Sequence, residues 1–300
     1  MSIKGAIGRS VRSLIGDYRP AFLRKDPFAR YRAAARTLGF NAPTLLLSFD
    51  CDTDWDIDVV ARLDGFLTER GIAATYAVPG AQLRKGRETY ARLAARGAEF
   101  MNHGACAHAQ WHDDRYHPIT FYDRISAQDV VDDIEQGHEI VREITATAPI
   151  GFRAPHFGSF QSDDDLALIY RTIGALGYRY ASTTIPARGL ANGPAYRVAG
   201  IIEFPTFGSW SAPTTILDSW TYLTDRRHYA LGEEYFVRFS ETLDAVSRTG
   251  TPALLTWYAD PSHVWQQAPF MKAMDLIAER NIPSLRGRDL VESVAPKLSA

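Results

Sequence analysis

The chain has 300 residues, of which 46% are hydrophobic and 23% charged, and its net charge is close to −2. This composition is typical of a globular protein with one large domain. No apolar run approaches the length of about 18 residues that a membrane-spanning helix needs. The apolar stretches of the N-terminus are too short for a secretory signal, so we expect a cytoplasmic protein.

The positive charge is concentrated at the N-terminus. Residues 1–40 contain nine basic and two acidic residues, a net charge of +7, so the remainder carries −2 − 7 = −9. We therefore predict a basic N-terminal extension over 1–42 and a single catalytic domain over 43–300. Residues 1–40 suit peripheral contact with the inner membrane face or a phosphorylated lipid; the alternative is a solvated arm packed on the domain or a neighbouring subunit. The acidic remainder argues against nucleic acid as a partner.

From residue 43 onward, short β-rich runs alternate with amphipathic helical runs. Strands are predicted at 44–50, 73–78, 98–102, 149–153, 178–182, 200–204 and 252–257. Helices are predicted at 57–70, 87–96, 126–145, 163–175, 230–249 and 267–280. This alternation favours about seven parallel strands with helical crossovers, an α/β fold of the distorted or incomplete (β/α)-barrel type. Segment 183–228, rich in Gly, Pro, Thr and Trp, is predicted to form loops or a lid.

Two carboxylates follow the first strand. Asp50 and Asp52 are two residues apart, so on a strand their side chains point to the same side. Their repulsion is relieved by a metal cation, which divides the pair into a ligand and a base. The alternative is that one of them caps the following helix. The carboxyl ends of barrel strands are also where catalytic groups gather.

Two histidines follow another apolar stretch, at His103 and His108. A single histidine in such a place is more often a hydrogen-bonded structural residue, but two at a strand end, with the aspartate pair elsewhere, indicate a metal-hydrolase site. Cys106 lies between them and is either a further ligand or, as we expect, a small buried residue.

These segments resemble motifs of the polysaccharide deacetylase family (carbohydrate esterase family 4), and the resemblance extends over about residues 43–285. Ser48 to Asp52 is similar to the Asp-x-Asp branch of that family. His103 and His108 match its histidine pair, although the family spacing is usually four and here it is five. Arg153-Ala154-Pro155 matches the Arg-x-Pro element. The apolar strand 254–258 leads to His263 through a gap longer than is typical.

The resemblance implies a role for each of these residues. It makes Asp50 the general base, and it makes Asp52, His103 and His108 the ligands of a divalent metal such as zinc. Arg153 would orient the base and lower its pKa, and its alternative role is a surface ion pair. The backbone N–H of His156 corresponds to an oxyanion-hole donor. His263 corresponds to the general acid, the alternative being a loop histidine with Asp260 or solvent involved.

One element of the family pattern is missing. The family often has an acidic residue that pairs with the motif-three arginine, and the matching stretch here, 180–182, reads Tyr-Ala-Ser. We expect Glu203 to replace it.

The predicted function is therefore a metal-dependent hydrolase that removes an N-acyl group, expected to be N-acetyl, from an amino sugar. Its substrate would be a polysaccharide or a lipid-linked precursor in surface-glycan biosynthesis. Hydrolysis of a small non-sugar amide or cyclic imide is an alternative, and so is a catalytically inactive glycan-binding barrel. A glycosidase that uses Asp50 and Glu203 is disfavoured, since it leaves both histidines without a role.

Overall fold

The computed structural model describes residues 26–298, and these form a curled sheet surrounded by helices. The strands are β1 (Thr44–Asp50), β2 (Ala74–Val78), β3 (Glu99–Asn102), β4 (Ala109–His112), β5 (Arg115–Pro118), β6 (Gly151–Phe152), β7 (Tyr180–Ala181), β8 (Tyr196–Val198), β9 (Ile201–Glu203), β10 (Leu223–Asp225), β11 (Ala230–Leu231) and β12 (Leu254–Ala259). The helices are α1 (Ala29–Thr37), α2 (Asp54–Glu69), α3 (Gly80–Lys85), α4 (Arg87–Ala95), α5 (Ala127–Thr145), α6 (Asp163–Ala175), α7 (Pro186–Asn192), α8 (Glu233–Arg248), α9 (Pro261–Val264), α10 (Ala268–Glu279) and α11 (Gly287–Val294).

The main sheet has eight strands in the order β12-β1-β2-β3-β6-β7-β9-β8. All neighbours pair in parallel except β8 and β9, which are antiparallel. Within residues 26–298, the end strands β12 and β8 do not pair with each other, so the barrel is open. This confirms the predicted incomplete barrel and all seven predicted strands, and it adds β8 as an antiparallel edge strand.

The strand β1 lies inside the sheet, between β12 and β2. Its residues from Leu45 to Asp50 are all buried, as expected for a parallel strand covered on both faces. The helices follow their sequence signals as well. Ser126 caps α5 by accepting a hydrogen bond from the backbone N–H of Asp129, and Val130 and Ile134 on this helix are buried.

Helix α1 packs on the barrel. Phe28, Tyr31 and Ala35 are buried, and the Tyr31 hydroxyl donates to the Leu254 carbonyl at 2.7 Å and accepts from its N–H at 3.2 Å. Residues 1–25 lie outside the described residues, and so does most of the predicted membrane-contacting arm. The predicted domain boundary at residue 42 stays a prediction. Over residues 26–298, no helix has the length and apolar character needed to cross a bilayer.

Segment 183–228 is more regular than predicted. It contains α7, the β8–β9 hairpin and β10, in addition to loops. Part of it does lie over the sheet's carboxyl edge, where Ile216, Asp218 and Trp220 line a cavity.

Candidate active site

The cavity has a volume of about 290 Å³. Its walls include the residues that follow β1, β3 and β12, so it lies at the carboxyl end of the sheet, where (β/α) barrels place their chemistry. Arg153 is wholly buried and does not line it. The other predicted site residues all line it: Asp50, Asp52, His103, His108, His156 and His263.

The three predicted metal ligands converge. Asp52 Oδ1 is 3.1 Å from His108 Nδ1 and 3.5 Å from His103 Nε2. One ligand atom from each residue lies within 4.8 Å of the other two, a spacing that one ion with bonds of about 2.0–2.2 Å bridges. Two chain segments separated by some fifty residues thus supply a compact set of one carboxylate and two imidazoles.

The chemistry of these donors fits a divalent cation. His103 Nδ1–H donates to the Arg153 carbonyl at 2.8 Å, which leaves the Nε2 lone pair directed at Asp52. Burial lowers the pKa of His103, so this imidazole stays in the neutral, metal-binding form. His108 Nε2 is buried and has no hydrogen-bond partner within residues 26–298. A cation bound through His108 Nε2 would satisfy this buried nitrogen, which has no partner among the described residues.

The loop between the two histidines is held by α5. Asp133 accepts hydrogen bonds from the backbone N–H groups of Ala105 at 3.0 Å and Cys106 at 2.8 Å, and from the Tyr122 hydroxyl at 2.7 Å. Gly104 has a φ of +79°, and a Cβ there would collide with the Asp133 carboxylate. This turn absorbs the extra residue in the histidine spacing.

Cys106 is exposed, so the expectation that it is buried was wrong. Among the described residues, the ligand cluster consists of Asp52, His103 and His108 and does not include Cys106.

Asp50 stands beside the ligand cluster and is held by Arg153. The Arg153 Nη1 lies 3.1 and 3.3 Å from the two Asp50 oxygens, and its Nη2 donates to the hydroxyls of Ser48 at 2.8 Å and Ser182 at 3.2 Å. Burial excludes the alternative of a surface ion pair for Arg153. Burial also raises the pKa of Asp50 to about 7, outweighing the opposite effect of the Arg153 guanidinium. The predicted lowering of the Asp50 pKa by Arg153 is thus present, but the effect of burial is larger.

Glu203 does not replace the missing acid. Its Oε1 accepts from the N–H groups of Thr183 at 2.8 Å and Thr184 at 3.0 Å, and its Oε2 accepts from the Tyr170 hydroxyl at 3.1 Å. The expectation of a Glu203–Arg153 pair was therefore wrong. Among the described residues, the hydroxyl of Ser182, from the matching stretch itself, contacts the guanidinium in its place.

His263 is brought to the cavity by β12 and the short helix α9. The strand runs to Ala259, two residues beyond its predicted end, which shortens the gap before the histidine. Its Nδ1 lies 3.1 Å from Ser219 Oγ and 3.4 Å from Asp260 Oδ2, while its buried Nε2 has no partner within the described part of the chain. Burial lowers the pKa of His263 to about 3 and raises that of Asp260, so each favours its neutral form.

His156 has a left-handed backbone conformation, with φ of +42°. Its ring Nε2 contacts two carbonyl oxygens, at 2.9 Å from Ile119 and 3.2 Å from His108, and so fixes the loop that carries a predicted ligand. Its backbone N–H donates to no acceptor within residues 26–298, which leaves this N–H available to a substrate.

Asp56 is a site residue that the sequence analysis missed. It is fully buried; its Oδ2 accepts from the N–H and hydroxyl of Thr53, and its Oδ1 accepts from the Ser262 N–H at 2.8 Å. The pattern Thr53-x-x-Asp56 is a capping-box signal for α2. The sequence holds no signal for the contact with Ser262, which joins the loop after β1 to the loop after β12.

Comparisons with known proteins agree with this geometry. Residues 38–180 match the family model described as polysaccharide deacetylase. The fold is similar to that of a Mycobacterium smegmatis protein assigned as a polysaccharide deacetylase, with a TM-score of 0.66, 17% identity, and coverage of 87% of this chain and 93% of that one. No curated protein sequence matches the chain.

Two further structures are similar at lower scores. BA3943, a carbohydrate esterase family 4 pseudoenzyme from Bacillus anthracis, has a TM-score of 0.51 and 12% identity, with 85% of this chain and 67% of that one covered. The Bc1960 peptidoglycan N-acetylglucosamine deacetylase has a TM-score of 0.50 and 13% identity, with 84% and 89% covered.

The fold and the site define a hydrolase of the incomplete-barrel class. Residues 38–180 belong to the polysaccharide deacetylase family, carbohydrate esterase family 4, whose members act on N-acetyl amide bonds. The resemblance drawn from the sequence motifs is thereby confirmed.

Proposed function

We propose that this protein is a divalent-metal-dependent N-deacetylase that removes the acetyl group from an amino sugar of a polysaccharide or its precursor. The proposal rests on the observation that the two aspartates have different partners. Asp52 belongs to a cluster with His103 and His108, whereas Asp50 is held outside it by Arg153. One carboxylate thus serves a cation and the other is free to accept a proton.

The cation would be held by Asp52, His103 and His108, and we propose zinc because it favours one carboxylate and two imidazoles with an open position. When bound, it supplies a Lewis acid that polarises the acyl carbonyl and acidifies water. Asp50 Oδ2 lies 3.8 Å from His103 Nε2, close enough to take the proton of the attacking water. A bound cation also lowers the pKa of Asp50, which keeps this base ionised.

The backbone N–H of His156 is proposed to donate to the oxyanion that forms when the carbonyl is attacked. The leaving amine needs a proton, and His263 Nε2–H is proposed to supply it. As that proton leaves, His263 Nδ1 takes the proton held by Asp260, whose Oδ2 is 3.4 Å away. The imidazole therefore stays neutral overall, in agreement with its lowered pKa.

The setting of the reaction is proposed from charge alone. The basic residues of segment 1–40 suit an anionic lipid or a membrane surface. They support a substrate that is a lipid-linked glycan precursor, deacetylated at the cytoplasmic face of the membrane during surface-glycan synthesis.

The test is acetate release by the zinc-loaded full chain from a tetramer of N-acetylglucosamine, with metal content measured on the same sample. We expect about one zinc ion per chain and a steady release of acetate. Asp50→Asn should keep the zinc and lose activity by about 10²–10⁴-fold, the usual contribution of a general base.

Three results would contradict the proposal. Unchanged acetate release by Asp50→Asn would show that Asp50 is not the general base. Hydrolysis of simple imides without acetate release would favour the small-amide alternative. Saccharide binding by a chain that holds no stoichiometric zinc would favour a glycan-binding relic, a fate for which the BA3943 pseudoenzyme is a precedent of similar fold.

A further inference from the structure

Four aromatic rings in mutual contact, which we call the aromatic wall, lie beside the catalytic cavity: Trp55, Trp111, Tyr116 and Tyr229. Of these, Tyr116 and Tyr229 line the cavity directly. Trp55, in the first turn of α2, stands at its centre. Its ring centroid lies 5.2 Å from that of Trp111, 5.4 Å from Tyr116 and 5.1 Å from Tyr229. Trp111 and Tyr116 face each other across the β4–β5 hairpin, with centroids 5.0 Å apart.

The wall joins three segments that are distant in sequence. The β4–β5 hairpin, the start of α2 and the residue before β11 meet through rings at contact distance, since paired aromatic centroids lie about 4.5–7 Å apart. At its inner end, Tyr229 is 3% exposed and its ring centroid is 4.0 Å from that of His263. At its outer end, Trp111 is 47% exposed. These contacts form a continuous series of rings from the predicted general acid outward to the surface.

The size of the cavity agrees with occupation by a single sugar unit. Its volume of about 290 Å³ is at the lower limit of ligand sites, which occupy about 300–1,000 Å³. Such a space accommodates one sugar ring with its acyl group. An enzyme that acts within a polymer needs instead an open groove on both sides of the reacting unit.

We propose that the site takes a terminal amino-sugar residue or a single amino-sugar unit, and that the aromatic wall excludes the next sugar on its side. This inference rests on the proposed deacetylase function and adds to it a specificity for the end of the glycan. The wall residues act on specificity through shape. Their removal should therefore change which residue is deacetylated, more than whether zinc binds.

The experiment uses the zinc-loaded chain with N-acetylglucosamine and its linear hexamer, and locates the free amine in the products by tandem mass spectrometry. We expect the first product of the hexamer to carry its amine at one chain end, and kcat/KM for hexamer and monomer to agree within about tenfold. Amines at internal positions, or a hexamer preference above about a hundredfold, would overturn the inference while leaving the deacetylase function in place.

Trp55→Ala opens the wall at its centre. We expect it to keep zinc, to produce internally deacetylated hexamer, and to raise the hexamer-to-monomer ratio of kcat/KM at least about tenfold. Trp210→Ala is the matched control, since this half-buried indole stacks on Phe28 and, among the described residues, has no ring contact with the aromatic wall. It should leave product position and ratio unchanged. If Trp55→Ala gave the same products as the wild type, the proposal that the aromatic wall excludes the next sugar would be refuted.

A binding measurement keeps the inference testable if turnover fails. Calorimetry with Asp50→Asn should give dissociation constants for monomer and hexamer within about tenfold of each other, a difference of no more than about 1.4 kcal/mol. If the hexamer bound more than about tenfold more tightly than the monomer, the inference that the site takes a single sugar unit would be overturned. Absence of acetate release from either probe would instead refute the proposed function, so the two failures are distinct.

Discussion

Replacing Asp133 with alanine removes the group that holds the loop between His103 and His108. The variant leaves the buried Tyr122 hydroxyl without its partner, a cost of about 1–3 kcal/mol. The two backbone N–H groups that it also abandons, of Ala105 and Cys106, are closer to solvent and cost about 0.5–1.5 kcal/mol each. We therefore expect the free energy of unfolding to fall by roughly 3 kcal/mol.

The same substitution should also weaken metal binding at the proposed site. Residues that orient metal ligands typically contribute about 10–100-fold to affinity, so Asp133→Ala is expected to raise the Zn²⁺ dissociation constant by that factor. Chelator-competition titration measures it, and urea denaturation of the metal-free protein measures stability.

Asp133→Asn is the matched control. Its single oxygen replaces Oδ1, which accepts from both backbone N–H groups, and its amide donates to the Tyr122 hydroxyl where Oδ2 accepted from it. We expect zinc affinity within about threefold of wild type, well inside the usual orienting effect. If Asp133→Ala bound zinc as tightly as the wild type, the view that α5 positions the histidine loop would be refuted.

Three other predictions follow from single contacts. Asp260→Asn should lower kcat by about 10²-fold with unchanged zinc affinity, because it removes the proposed proton source behind His263; an unaltered kcat in steady-state assays would exclude that role. Tyr31→Phe should destabilise the fold by about 1–3 kcal/mol in urea denaturation, because it leaves backbone groups of Leu254 unpaired; no change would show that these two hydrogen bonds do not contribute to stability. Burial raises the pKa of Glu203, so ionising this group costs the folded state more than the unfolded state. The stability of wild type relative to Glu203→Gln should therefore fall as the pH rises from about 5 to about 8; denaturation curves with a constant difference would contradict this.

The strands that carry the site were readable from sequence because each is a short apolar run that ends in polar residues. The strand β8 was missed because it joins β9 through Ala199-Gly200, where both φ angles are positive. Such two-residue turns usually contain Asn, Asp or Gly in the first position, so alanine gave no signal.

The sequence was enough to predict that the site residues meet at one place, but it did not predict some of their hydrogen-bond partners. Glu203 ends β9, and β7 lies between that strand and β6, which precedes Arg153. The nearer N–H groups of the loop after β7 therefore satisfy its carboxylate. The direction of the Asp50 pKa shift also could not be predicted from the sequence. Burial raises this pKa and the Arg153 charge lowers it, and only the structure shows how deeply Asp50 is buried.

Asp56 links the loop that carries the proposed base to the loop that carries the proposed acid. One of its oxygens is bound to Thr53, next to the aspartate pair, and the other to Ser262, next to His263. A substrate that displaces either loop must strain or break a hydrogen bond to a buried carboxylate. Exchanging one of these loops with that of a relative would therefore misplace the other unless both segments and Asp56 are transferred as a unit.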